Sequence, residues 1–422
     1  MRFPLLAALR PGLLLVALAL FFAILSPQRL AGSAIFKTWP ARVTIAFLVL
    51  ACLSAPFGIS LGGSASFILS DYSKTILFAI LLMLAIRSAR DLYTLAWAYV
   101  IGTGVLVWMS LFLFQLSTKG SKAARLGRLY AWDGNDVGVL VLVGLAMALL
   151  TFQTSRRWGR WLSAFILVGI GVTVARTGSR GAFLGFVAMV LALLFMMKSI
   201  SVAKRIGVVA FASLAVVLFA PQGYWDQMAT LTSPKQDYNW SEIDGRKQVA
   251  LRGMQYMLNH PVFGLGINNF SRAECLYPES EKVRQHALGT RLWCTAPHNS
   301  YVEAGAELGI PGLILWLALV LGSIPAMFRL RRRLPAAWAR GTPEERLLHL
   351  APLYLGVAMV GFAVSAMFVG FAWLDTTYYL AAMMAGVYAV TARHRAAATP
   401  TPMPAQNRGG RSQVLAGTLQ VR

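Results

Sequence analysis

Charge of either sign is scarce in this chain of 422 residues: only 13% of positions are Asp, Glu, Lys or Arg, while 57% are hydrophobic. A soluble protein of this size has no use for apolar stretches of sixteen residues or more recurring along its length, so the composition excludes that class and leaves a membrane protein. Acidic residues are scarcest, sixteen against 39 Lys and Arg. In a soluble domain that imbalance would suggest nucleic acid; here the basic residues lie mostly between apolar spans and report topology. Cysteine is nearly absent, with Cys52 in an apolar run and Cys275 and Cys294 in the one long polar loop. That pair can bridge if the loop faces an oxidising compartment. A cleavage site is missing as well, because the apolar run beginning near Gly12 is followed by Ser26-Pro27-Gln28-Arg29, so it reads as a retained span.

Apolar segments fall at about 11–26, 42–57, 66–86, 93–117, 135–153, 161–176, 180–198, 205–221, 310–328, 350–370 and 376–391. The expected fold class is an all-α polytopic membrane protein with about 11–12 transmembrane helices and one large periplasmic loop. The most basic connectors are Arg87 to Arg90, Arg156-Arg157 with Arg160, Lys198 with Lys204-Arg205, Arg329 to Arg333, and Arg393 to Arg395. They occupy every second connector, and the positive-inside rule puts them in the cytoplasm. The alternation sends 118–134, 176–181, 222–309 and 371–377 to the outer side. The chain therefore divides into N-terminal helices (1–221), a periplasmic loop with the candidate catalytic residues (222–309), C-terminal helices (310–395) and a tail (396–422) whose Ala, Thr, Pro, Gly and Arg show no apolar periodicity and predict disorder.

The loop 222–309 holds nine of the sixteen acidic residues and three of the five histidines. Gly245-Arg246-Lys247 opens a segment with apolar residues at Val249, Leu251, Met254, Met257 and Leu258, which predicts an amphipathic helix on the membrane face, ended by Asn259-His260-Pro261. The glycines and amides of 263–270 predict a turn where backbone approaches another element or a ligand closely. In Pro297-His298-Asn299-Ser300-Tyr301-Val302-Glu303, the Ser300 and Glu303 spacing matches a capping box, so a helix should start at Ser300 and run toward Gly309. His298 then precedes a helix N-terminus, whose partial positive charge favours neutral imidazole and attracts anions. That suits a general base beside a phosphate group; a loop histidine that only hydrogen-bonds backbone is the plainer alternative. Glu303 and Glu307 can orient the site, or simply cap and be solvated.

Arg176 and Arg180 hug the outer membrane face, where arginine needs an anionic partner, either a lipid headgroup or the diphosphate of a lipid-linked substrate. Lys119, Lys122, Arg125 and Arg128 in the outer connector 118–134 break the charge rule, as if wanted for an anionic ligand, although surface charge alone explains them too. Asp133-Gly134-Asn135-Asp136 can add hydrogen bonds from Asn135, or form a plain helix cap at Asn135 or Asp136. Glu242 and Asp244 keep a divalent ion open as a minor reading.

Three segments together resemble the family of O-antigen ligases and related polymerases: Ser179-Arg180, then Gly245-Arg246 with His260-Pro261-Val262-Phe263-Gly264-Leu265-Gly266, then His298-Asn299-Ser300 with Glu303-Ala304-Gly305. The resemblance covers about residues 175–312. It implies a fold of the membrane glycosyltransferase C type in the bacterial inner membrane, with the active site facing the periplasm and no cofactor, metal or nucleic acid. It also implies transfer of a glycan from undecaprenyl diphosphate to the lipid A core in lipopolysaccharide biosynthesis. On that reading His298, Arg180 and Arg246 are catalytic, and Arg180 and Arg246, with Arg176 and Arg128, bind the donor diphosphate. Asn299, Glu303 and Asn135 support the site, and membrane lipids surround it. A polymerase with the same donor is the nearest rival. A lipid-linked oligosaccharide flippase would line its spans with charge, and the predicted spans are nearly free of ionisable residues.

Overall fold

The computed structural model describes residues 34–117, 124–127, 132–196, 223–233, 245–276 and 294–398, with isolated positions between them. The predicted spans 11–26 and 205–221, the pair Glu242 and Asp244, Lys119, Lys122, Arg128 and most of the tail lie outside the described residues.

The chain is an all-α polytopic membrane protein. In order run α1 (Trp39–Ser54), α2 (Leu61–Phe67), α3 (Ser73–Ala85), α4 (Ala89–Phe112), α5 (Gly134–Thr154), α6 (Trp158–Thr177), α7 (Arg180–Met196), α8 (Tyr224–Ala229), α9 (Arg246–Asn259), α10 (Phe270–Leu276), α11 (Ser300–Val320), α12 (Ser323–Arg332), α13 (Pro343–Ser365) and α14 (Asp375–Ala398). A single π-turn, Ile68–Tyr72, joins α2 to α3. Strands β1 (Leu116–Ser117) and β2 (Arg125–Leu126) pair antiparallel in the connector before α5. Seven helical stretches among the described residues are long and apolar enough to cross a membrane. Every predicted span within the described residues is met by a helix, and most run several residues past the apolar core of the prediction. Capping chemistry rather than hydropathy sets the ends: Ser88 with Asp91 starts α4, and Thr342 with Glu345 starts α13.

Helices α5, α13 and α14 are buried along most of their length. Small residues allow the close approach that membrane helices rely on. A Cβ on Gly144 would fall 2.2 Å from Thr103 Oγ1 of α4, and one on Gly185 would fall 2.2 Å from Ser365 Oγ of α13. The outer surface of the bundle is apolar, with Phe112, Phe165 and Phe195 exposed, as lipid contact requires.

The connectors sort into two ends. At one end Ile59 donates its N–H to Leu265 O, Gly134 abuts Thr177 O, Gly181 abuts Phe368, and Ser300 donates its N–H to Ala366 O. At the other, Arg346 donates to Gln153 O, Arg393 to Ile86 O and Arg395 to Arg333 O. The first end gathers the acidic loop and the connectors expected outside. The second gathers the arginine-rich connectors.

Candidate active site

The site is built where α11 begins. His298 has a φ of +45°, a left-handed conformation uncommon for a side chain larger than glycine, and it stands immediately before the helix. Asn299 is the N-cap: its side-chain oxygen accepts from the N–H groups of Tyr301 and Val302. The expected Ser300–Glu303 capping box is not formed. Ser300 is already inside the helix and buried, its hydroxyl donating to Val369 O and accepting from Phe371 N. Asparagine competes well for the cap, so the helix starts at Ser300 as expected but is capped by Asn299, which frees Ser300 and Glu303 for tertiary contacts.

Glu303 and Glu307, one helical turn apart, do not cap; Glu307 is buried and Glu303 half-buried. Glu303 accepts from Ala372 N at 3.0 Å. Glu307, 3% exposed, accepts from Asn268 N at 2.5 Å, Phe270 N at 3.0 Å and Trp373 Nε1 at 2.7 Å. Both carboxylates lie on a span-length helix, and their oxygens hold backbone in place. Helix α11 continues past its expected stop through a break at Gly309 (φ +71°), where a Cβ would meet Pro261 O at 2.6 Å. The chain crosses so closely there that only glycine fits.

The turn 263–270 is what it approaches. Gly264 and Gly266 have positive φ, Leu265 N donates to Ala306 O, and Asn269 Nδ2 donates to Ser64 Oγ at 2.9 Å. The element close to this turn is therefore protein, α11 on one side and the α1–α2 corner on the other. Helix α9 starts at Arg246 and ends at Asn259 as expected. It buries Val249, Gly253 and Tyr256 rather than the whole apolar set, leaving Leu251, Met254 and Leu258 exposed on the far face. Arg252, which sequence reasoning passed over, pairs with the buried Glu274 through Nε at 3.0 and 3.1 Å, and Tyr256 Oη donates to the same carboxylate at 2.8 Å. The spacing Arg252, Tyr256 on one helical face was the available signal. Burial and the adjoining Glu274 carboxylate both raise the Tyr256 hydroxyl above its ordinary range. Cys275 and Cys294 are joined by a disulfide, with Cα atoms 5.0 Å apart, tying the end of α10 to the stretch that leads into His298.

Arg246 opens α9 close enough to His298 for its charge to act on the imidazole. Burial is the larger cause and Arg246 the second in lowering the His298 pKa from 6.5 to about 4, while the Asp133 carboxylate opposes them. The site thus holds an imidazole within electrostatic reach of a cation and an anion. Asp133 is the true N-cap of α5, accepting from Asn135 N at 2.7 Å and Asp136 N at 3.0 Å, with Asp136 closing a reciprocal box. The cap expected at Asn135 or Asp136 is displaced to Asp133, and Asn135 is buried, its amide donating to Asp133 Oδ2.

Gly134 packs on Thr177 O, which brings the α6–α7 corner alongside. Arg180 begins α7 and donates from Nη1 to Thr230 Oγ1 at 2.7 Å. Gln227 from α8 donates to Gly178 O at 2.8 Å, fastening the same corner. Arg125 packs against Gly178. Arg176 has its Nε buried without a hydrogen-bond partner.

The connector 366–374 was not foreseen as part of the site. It receives Ser300, Glu303, Glu307 and, through Phe368, Gly181, so the His298 and Arg180 segments are both built against it. Among the described residues no group of three His, Cys, Asp or Glu side chains has metal-binding geometry. No curated protein matches the chain. Residues 165–317, the stretch that contains Arg180, Arg246 and His298, match the family model described as O-antigen ligase, and over that stretch the chain is similar to that family.

Proposed function

We propose that this protein is an inner-membrane O-antigen ligase that transfers a glycan from undecaprenyl diphosphate to a sugar hydroxyl of the lipid A core on the periplasmic side. The observation that carries this reading is the His298 imidazole at the start of α11, partly buried and within electrostatic reach of Arg246 and Asp133. His298 takes the proton of the acceptor hydroxyl as its oxygen attacks the anomeric carbon. The bond from that carbon to the diphosphate breaks with the electron pair leaving on phosphate oxygen, and the anomeric centre inverts. Arg180 and Arg246 neutralise the departing diphosphate, with Arg176 and Arg128 as further cations along its path. Asn299, Glu303 and Asn135 support the site through backbone and cap contacts rather than by touching substrate.

Donor binding tunes the base. A diphosphate on Arg246 offsets the cation that helps hold the imidazole down, so His298 becomes more basic when the leaving group is in place. The test supplies purified protein with undecaprenyl-diphosphate glycan and either rough lipopolysaccharide or a second lipid-linked glycan. Glycan on the lipopolysaccharide supports the ligase; elongated lipid-linked glycan alone makes the protein a polymerase, and no product from either refutes both. Loss of activity in EDTA restored by magnesium or manganese would overturn the metal-independent scheme. Undiminished transfer by a normally inserted His298→Ala variant would remove the base.

A further inference from the structure

At the end of the bundle opposite His298, the first turns of α4 and α13 and the last turn of α5 border an open surface cavity of about 380 Å³, whose charged residues are solvent-exposed. Arg90, Arg156 and Glu344 line it together with Tyr93 and Ser155, whose hydroxyls bond to each other at 2.7 Å. Neither arginine makes an ion pair among the described residues. The neighbouring acids are already engaged: Asp91 accepts from Arg87 N and Ser88 N in the cap of α4, and Glu345 accepts from Thr342 N in the cap of α13. Glu344 alone faces the cavity as an open carboxylate. Two helix first turns add partial positive charge to the same space. The cavity therefore presents two cations and two helix N-termini beside one anion.

Its depth is marked by Trp158 and Trp161, 85% and 73% exposed, at the start of α6 just past Arg156. Exposed tryptophans of this kind sit at the level of lipid headgroups. A purely anionic ligand would meet Glu344 with like charge. A ligand carrying a phosphodiester and an ammonium matches all three charged groups.

We propose that this cavity binds the phosphoethanolamine headgroup of a membrane phospholipid, its phosphate on Arg90 and Arg156 and its ammonium at Glu344. The bound lipid joins α4, α5 and α13 at the end remote from the chemistry, and the assignment is independent of which glycan the protein transfers.

The experiment is calorimetric titration of the delipidated full-length protein in detergent with dihexanoyl phosphatidylethanolamine, dihexanoyl phosphatidylglycerol and inorganic phosphate. One saturable site is expected for the ethanolamine lipid, with weaker binding of the glycerol lipid. Arg90→Gln with Arg156→Gln should weaken the ethanolamine lipid at least about tenfold, as loss of charge-assisted bonds to phosphate implies. Glu344→Gln should abolish the preference for ethanolamine over glycerol. Unsaturable partitioning, a preference for the glycerol lipid, or equal affinity in the double variant would overturn the proposal. So would inorganic phosphate binding as tightly as lipid, which would make the site one for a soluble anion. The preference shown by the unaltered protein decides the matter even if a variant does not fold.

Discussion

The protonation of His298 offers the sharpest measurement. The imidazole pKa stands at about 4 rather than 6.5, a difference that corresponds to a factor of roughly 300 in protonation, or roughly 3 kcal/mol. Burial supplies the larger share and Arg246 the next. The acid limb of kcat/KM, which reports the free enzyme, should therefore lie near pH 4, while that of kcat, which reports the complex, should lie higher because the donor diphosphate screens Arg246. In Arg246→Met the free-enzyme limb should rise, yet stay below 6.5 because burial persists. The stability counterpart has a definite sign. In the folded protein His298 is neutral where the unfolded chain would be protonated, so its contribution is fully present above pH 6.5 and is lost as pH falls toward 4. Initial rates of glycan transfer to rough lipopolysaccharide between pH 4 and 8, in detergent, give both limbs. Limbs that coincide at 6.5 in the wild type, unmoved by Arg246→Met, would refute the reasoning.

Other changes test the frame around the imidazole. Glu307→Ala leaves the buried Phe270 N–H and Trp373 indole, and the part-buried Asn268 N–H, without an acceptor; at about 1–3 kcal/mol for each buried group this should cost several kcal/mol in detergent melting, with Glu307→Gln milder. Arg180→Lys keeps the charge but loses the planar fork and the bond to Thr230, so transfer should fall by about tenfold or more while melting drops only by about the 1 kcal/mol of one hydrogen bond; full activity would mean that a point charge suffices. Gly264→Ala puts a methyl 2.4 Å from the backbone carbon of Glu307 at a φ of +65°, and should destabilise by at least about 2 kcal/mol. An unchanged melting point for that variant would show that the α11 crossing can relax.

Much of the bundle was legible because hydropathy and arginine placement are strong and local. The helix at Arg246, its stop at His260 and the turn at Gly264 and Gly266 were read from residue type alone. The capping sites at Asn299 and Asp133 were each displaced from the expected residue, since several adjacent polar side chains can cap and tertiary contacts choose among them. Glu303 and Glu307 were left with two roles open, orienting the site or capping, for a deeper reason. Their acceptors are satisfied by backbone N–H groups some 30 to 70 residues away, and a backbone donor carries no signature in sequence. The connector 366–374 is nearly silent for the same reason: it contributes carbonyls, amides and one indole, and its partners are known only once the chain has folded.

That connector sets a limit on what can be exchanged between relatives. The family match ends at residue 317, but Ser300, Glu303 and Glu307 close onto 366–373 beyond it, and Asp133 reaches the imidazole from before its start. A chimera that swaps only 222–309 to change the acceptor would separate Glu303 from the Ala372 amide and Glu307 from the Trp373 indole to which they were fitted. The smallest transferable unit is a discontinuous one, the loop with the 366–374 corner and the Asp133 turn, although these segments are far apart in the chain.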